Sequence, residues 1–415
     1  MDFDVVVIGG GPAGMMAAAR AGELGARTVL LEKNSTLGNK LLITGGGRCN
    51  ILHAEFDPHR LVAKYGKKGQ ALHSSFAQFD AQATWDFFES RGLKLKVEAE
   101  HRAFPKSDTA EDVCKVMVQA LQKSNVTVRT GCTVTSLEQS GPLIKKVIHT
   151  SGQITGKNFI LATGGKSRPE TGSTGDGFLW LRSLGHSVTE PSAALVPILI
   201  SDPWAKDLAG ISLQGVKLTI WQSSMRHEAH TGKMLFTGTG LSGPLVLNMS
   251  KRIGAFLEEG PVTLALDLFP SFDAGAVDRM LMEIFEQSKN KLIKNHIGQI
   301  TKPRLAHAIL LLAGIDPATP LHQLTRSNRL AFGKLLKHLP MTVTGLLGED
   351  KAVVTGGGVL LKEVDFKTMR SKKYGNLYLT GDLLDFDRPS GGFSLQICWS
   401  TGYCAGTSAG QHTKL

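Results

Sequence analysis

A chain of 415 residues is too long for one hydrophobic core, so two or three domains are expected. Its 42% hydrophobic content is ordinary for a globular protein, and no apolar run reaches the roughly 18 residues of a membrane-spanning helix. Five scattered cysteines with no CxxC pair argue against a disulfide framework or a metal site and for a reducing, cytoplasmic setting. The first apolar run begins within five residues of Met1, which leaves no room for a secretion signal. The net charge of +11 is concentrated: between Gln287 and Pro340 stand nine Lys or Arg against the single acid Asp316, a local net of +8. That density suits a polyanionic partner, although a basic surface also serves simple solubility.

Asp4-Val-Val-Val-Ile-Gly-Gly-Gly-Pro-Ala-Gly14 opens the chain. Val5 to Ile8 reads as a central parallel strand buried on both faces. Gly9, Gly11 and Gly14 then supply GxGxxG at its carboxyl end, for the tight turn, for approach to a pyrophosphate and for helix–strand packing in that order. Pro12 and Ala13 belong to the same turn. An Ala-rich helix over Met15–Leu24 presents its N-terminal amides to phosphate. Arg27–Leu31 is a second strand, closed by Glu32 at the spacing of a ribose-binding acid, with Lys33 beside it.

Lys40 precedes Leu41-Leu-Ile-Thr-Gly-Gly-Gly-Arg-Cys-Asn50. Thr44, Gly45, Gly46 and Gly47 form a loop able to nest an anion, Arg48 adds a positive charge suited to pyrophosphate, and Asn50 closes the element. A basic cluster follows at Arg60, Lys64, Lys67 and Lys68, with helix-like patches over Phe76–Gly92 and a helix over Asp112–Lys123. Val126–Arg129, Thr133–Leu137 (which carries Val134) and Lys146–Thr150 read as strands. The strand after them ends in Ala162, Thr163, Gly164 and Gly165, again at a carboxyl edge where open α/β sheets bind ligands. From Pro191 the texture becomes β-rich, with strands over Ala194–Ile200, Val216–Trp221 and Val262–Leu268. Ala274 to His338 is helical, Pro303 opening one helix and Gly314 closing it.

Strand character returns at Met341. The triplet in Ala352-Val-Val-Thr-Gly-Gly-Gly-Val359 continues as strand or loop, so it is not a second fingerprint. Leu377-Tyr-Leu-Thr-Gly-Asp382 is a strand ending in Gly381 and Asp382. Gly391 and Gly392 lead into a helix from Phe393 to about Ala405. Three glycine-bearing strand ends around one site point to FAD, with Asp382 on its ribitol or pyrophosphate side. Gly391, Gly392 and Phe393 would open a helix aimed at flavin N1 and O2, where negative charge gathers on reduction. The fold class is therefore α/β: a discontinuous two-dinucleotide-binding Rossmann-like FAD domain over 1–190 and 350–415. A β-rich substrate domain over 191–271 and 339–349 is inserted, with a basic helical domain over 272–338.

Gly9–Gly14, Thr44–Asn50, Ala162–Lys166, Thr171–Gly177, Ser242-Gly-Pro244 and Gly391-Gly392 together resemble a bacterial flavoprotein family. These are the aminoacetone oxidase-like NAD(P)/FAD-dependent oxidoreductases, among which bile-acid 4,6-dienone reductases and a ribosomal-RNA dihydrouridine synthase also fall. The resemblance runs nearly end to end and implies an FAD domain with an inserted β domain and a small helical domain. Two positions depart from it: Phe236-Thr-Gly238 stands where the family has Phe-Thr-His, and Gly381-Asp382 where it has Gly-Glu. The first puts a catalytic role for that position in doubt, while the second keeps the charge at shorter reach.

The favoured activity is FAD-dependent reduction of an activated C=C bond, with uridine in ribosomal RNA as substrate. Hydride goes to C6 of uracil, an acid protonates C5, and NADH or NADPH acts as transient electron donor. Cys49 is the candidate acid, against the alternative that it only packs beside the cofactor. Two other readings stay open. One is an oxidase or reductase of a small amine, ketone or steroid-like molecule; the other is a nucleic-acid-binding protein whose FAD is structural or sensing.

Overall fold

The computed structural model describes residues 2–287, 291–348 and 350–412. The chain divides into two compact units, Met1–Ala194 with Glu349–Leu415, and Leu195–Gly348.

The first unit is built on the strand Phe3–Ile8, whose Val5, Val6 and Val7 have no exposed surface. All-parallel sheets are covered on both faces, so their central strands carry continuous apolar runs like this one. It pairs in parallel with Thr28–Leu31 on one edge and with Gly152–Leu161 on the other. Thr127–Arg129 extends the sheet beyond the former, and Leu377–Leu379 beyond the latter, both again parallel. The chain's C-terminal strand thus completes the sheet its N-terminal strand began. Two short antiparallel strands, Arg370–Ser371 and Val364–Asp365, finish that edge.

Pro12 starts the first helix, Pro12–Glu23, where its missing N–H costs nothing. The last helix, Phe393–Gln411, packs against it through a ladder of glycines. A Cβ on Gly402 would lie 2.4 Å from the Ala13 carbonyl oxygen, and one on Gly406 2.3 Å from that of Ala17. The sequence reading stops this helix near Ala405. It runs on to Gln411 because burial against the Ala-rich first helix outweighs the low intrinsic propensity of Gly402, Gly406 and Gly410.

In the second unit six strands close a barrel in the order Ile198–Ile200, Gly240–Ser242, Met225–Phe236, Ser212–Gln222, Val262–Asp267, Leu339–Leu346. Gly243 and Pro244 open the helix Pro244–Glu259, which the sequence reading did not identify. The segment expected as one strand over Ala194–Ile200 is broken: Val188–Ala194 pairs with Val354–Val359 in the first unit, and Leu195 turns the chain at φ 53°. The expected separate helical domain is not a separate body. Val277, Leu281, Leu305, Ile309, Phe332 and Leu336 of helices Ala274–Glu286, Pro303–Leu312 and Arg326–Lys337 belong to the same buried cluster as Leu218, Phe236 and Leu264 of the barrel. Among the described residues no helix is long and apolar enough to cross a membrane.

Candidate functional site

The carboxyl ends of the parallel strands Phe3–Ile8, Thr28–Leu31, Gly152–Leu161 and Leu377–Leu379 converge on one cavity in the first unit. It encloses about 1150 Å³, open solvent at its mouth included. At this point of the sheet the strand order reverses around Phe3–Ile8, which is where open α/β sheets take their ligands.

Each fingerprint glycine has a distinct reason. Gly9 turns at φ 107°, and a Cβ there would stand 2.4 Å from the Ala162 carbonyl oxygen. A Cβ on Gly14 would meet the Gly9 carbonyl oxygen at 1.8 Å, so helix and turn touch only because position 14 has no side chain. Gly11 has an ordinary φ of −79°, and a Cβ on it would meet nothing within 4 Å. Its emptiness therefore serves whatever occupies the cavity. The first helix begins there with no side-chain cap and no acid in its first turn, so its positive end is open to an anion. The last helix has a glycine, Gly392, at its N-cap and no acid in its first turn, and its Ser394, Leu395 and Cys398 line the same cavity.

Glu32 is 8% exposed at the cavity wall. Its Oε2 accepts from the Gly10 amide at 2.6 Å, and its Oε1 accepts from the Asn34 amide at 2.8 Å and from Asn34 Nδ2 at 2.7 Å. Three donors leave acceptor capacity on Oε2 for one further hydroxyl, and show that Glu32 also fixes the glycine turn. Lys33 donates to Asp176 at 2.8 Å, and Lys40 to Ser167 at 2.7 Å. Asp382 lies between two cations, Lys40 Nζ and Arg388 Nε, each at 3.7 Å. Its buried Oδ1 makes no hydrogen bond, and neither does the buried Thr163 Oγ1. Open positive helix ends and the empty space over Gly11 fit a dinucleotide with a pyrophosphate.

Of the expected cofactor residues, Gly9, Gly11, Pro12, Ala13, Glu32, Lys33, Lys40, Thr44, Val134, Ala162, Thr163, Gly164, Gly381 and Asp382 line this cavity. Gly14 and Gly165 stand behind it as packing positions, a Cβ on Gly165 falling 2.2 Å from Thr355 Oγ1. Gly45, Gly46 and Gly47 turn through φ 57°, 69° and 84° on the surface, and only Thr44 of that loop reaches the wall.

Arg48 does not face a pyrophosphate. Its guanidinium is engaged by Glu98 and by Asp108, with Nε to Asp108 Oδ1 at 2.8 Å, and lies 4.3 Å over the Phe104 ring. Cys49 is not an accessible acid. It has no exposed surface, belongs to the hydrophobic core, and burial pushes its thiol up to about 12. Asn50, Gly391, Gly392 and Phe393 are not in the wall either. With its amide oxygen toward Gly392, Asn50 accepts from that backbone N–H at 3.1 Å and so ties the glycine-rich loop to the start of the last helix. Phe393 stacks on the His53 ring at 4.4 Å.

The sequence reading missed Asn34, Ser173, Asp176, Trp180, Cys132 and Val353 among the lining residues. Ser173 and Asp176 sit in the Thr171–Gly177 motif and could have been assigned. Asn34 is held locally by Glu32, two residues before it, whereas Trp180, Cys132 and Val353 reach the wall through tertiary structure.

The Rossmann-like sheet, the family match along nearly the whole chain and a full-length relative named as a reductase together make this an oxidoreductase of the flavoprotein class. The chain belongs to the family described as HI0933-like protein Rossmann domain, which matches residues 3–408. It is 31% identical over 98% of its length to the 3-dehydro-bile acid delta(4,6)-reductase of Clostridium scindens, also covering 98% of that protein. It is 29% identical to the ribosomal RNA dihydrouridine synthase of Escherichia coli over 97% of each chain. Among solved structures, the 3-ketosteroid-delta4-(5alpha)-dehydrogenase of Rhodococcus jostii RHA1 shares the fold at a TM-score of 0.55 and 15% identity, over 98% of this chain and 96% of that one.

Proposed function

We propose that this chain is an FAD-dependent reductase of an activated C=C bond, with uridine in ribosomal RNA as its substrate and NADH or NADPH as its electron donor. Bound FAD would supply hydride transfer at flavin N5. Glu32 would accept from the adenosine ribose, and the open end of the first helix would hold the pyrophosphate. Asp382 would accept from hydroxyls nearer the flavin, and the start of the last helix would stabilise negative charge on the ring.

The observation that carries the choice of RNA is the surface of the helical segment. Lys291, Lys294, Lys302, Arg326 and Lys334 are exposed, whereas Arg304, Arg329 and Lys337 are engaged by the chain's own oxygens. A relative named as a ribosomal RNA dihydrouridine synthase supports the same choice, and the one named as a delta(4,6)-reductase supports reduction of a C=C bond. The test is direct: FAD-loaded protein, a nicotinamide donor and ribosomal RNA, followed by mass spectrometry of the digested nucleosides. Gain of two hydrogens on a defined uridine is the expected result. Unmodified RNA, with turnover of a 4,6-unsaturated 3-ketosteroid, would transfer the assignment to a small apolar substrate.

A further inference from the structure

Trp180 stands in the cavity wall although no dinucleotide motif calls for it. It lies on the helix Asp176–Ser183, and its half-buried side chain shares the wall with Glu32, Lys33, Cys132 and Val134. Among the described residues that line the cavity it is the one aromatic side chain. Its Nε1 donates to the Thr135 carbonyl oxygen at 3.1 Å, in the strand Val134–Ser140. That bond satisfies the indole's single polar atom and fixes the ring's orientation, leaving its faces for apolar packing.

We propose that Trp180 forms one wall of a purine subsite and packs against the adenine of the bound dinucleotide. The placement rests on the dinucleotide reading above: if Glu32 takes the adenosine ribose, the base falls beside it, toward Cys132, Val134 and Trp180. A flat, polarisable base with its polar groups on the edge gains most from an aromatic face, and base–aromatic stacking is lost on truncation to alanine.

ADP is the probe that isolates this interaction, because it carries the purine, ribose and pyrophosphate without a flavin that quenches tryptophan at a distance. Titrated into the flavin-free full-length chain, ADP should quench part of the tryptophan emission, and Trp180→Phe should abolish that quench while Trp85, Trp204, Trp221 and Trp399 remain. Trp180→Ala should weaken ADP and FAD about 10-fold or more, and Trp180→Phe should recover most of the affinity. If Trp180→Ala fails to fold, the quench and its loss in Trp180→Phe decide the matter alone. A wild-type chain that binds FAD but takes up ADP with no change in emission, or a Trp180→Ala chain that binds both as tightly, overturns the role of Trp180 and leaves FAD binding standing. A wild-type chain that binds neither overturns both.

Discussion

At the scale of single residues, the fingerprint glycines separate by what surrounds them. Space is open at Gly11 and closed at Gly14. Gly11→Val should therefore fold with a melting temperature near wild type yet purify without flavin. Gly14→Val should lose the fold itself, since overpacking costs about 1–3 kcal/mol even where neighbours can shift, and here the neighbour is backbone. Flavin absorbance per chain and thermal melts distinguish the two, and a Gly11→Val protein with full flavin would refute the placement of the pyrophosphate. Glu32 calls for a gentler substitution, because alanine also removes the acceptor for Gly10 and Asn34. Glu32→Gln keeps the shape and should still weaken FAD about 10-fold or more, as hydrogen bonds to a charged acceptor contribute about 1.5–3 kcal/mol. Cys49→Ala gives the opposite expectation. A general acid contributes about 10²–10⁴-fold, so a core cysteine should leave flavin content and substrate reduction at the wild-type level and lower only the melting temperature.

At the scale of elements, a buried relay ties three segments of the first unit. His186 Nδ1 lies 2.7 Å from Glu363 Oε2, and its Nε2 lies 3.0 Å from Ser371 Oγ, which also accepts from the Lys373 and Tyr374 amides. Burial holds the His186 imidazole below its ordinary 6.5, with Glu363 opposing the shift. The Glu363 carboxyl, despite burial, is held below its ordinary 4.5 by hydrogen bonds from Ser187 and His186. Both folded-state values are depressed, so both groups contribute stability above their unfolded values that is lost as pH falls. Melting temperature should drop on acidification below about pH 6.5, the ordinary histidine value, and His186→Gln should flatten that drop between about pH 6.5 and 5. An unchanged slope would show that the relay does not couple to folding. The elements legible in the sequence were those whose cause is local. The strand–glycine–helix–strand–acid run at the N-terminus needs only its own residues, and Pro303 with Gly314 marks one helix by turn chemistry. The extent of the last helix was not legible, because Gly402, Gly406 and Gly410 are helical only against the first helix. For the same reason Arg48 and Cys49 were misread: a charge or a thiol beside three glycines looks available until Glu98, Asp108 and the core are brought to it.

At the scale of the whole molecule, the cavity belongs to one unit and the exposed basic segment to the other, so cofactor and partner binding are separable by mutation. The structure also sorts the nine cations of that segment. Lys337 donates to Asp267 at 2.8 Å and to the Phe269 and Phe272 carbonyls, Arg329 pairs with Asp278, and Arg304 donates to the Asp207 and Ala209 carbonyls. Lys289 lies outside the described residues. Lys291, Lys294, Lys302, Arg326 and Lys334 remain as the exposed set for a test. Changed together to Glu, they should leave flavin content and flavin reduction by nicotinamide intact. Removing one cation from a phosphate should flatten the salt dependence of RNA affinity by about one unit, so these reversals should nearly eliminate binding at moderate salt. A neutral small substrate should turn over as before, because exposed charges act only within about 8–10 Å at physiological ionic strength. Lys337→Glu serves as the contrast: it breaks a partly buried pair with Asp267 and should lower stability while the exposed set does not. RNA affinity and uridine reduction that survive the reversals unchanged would remove RNA as the partner of this surface.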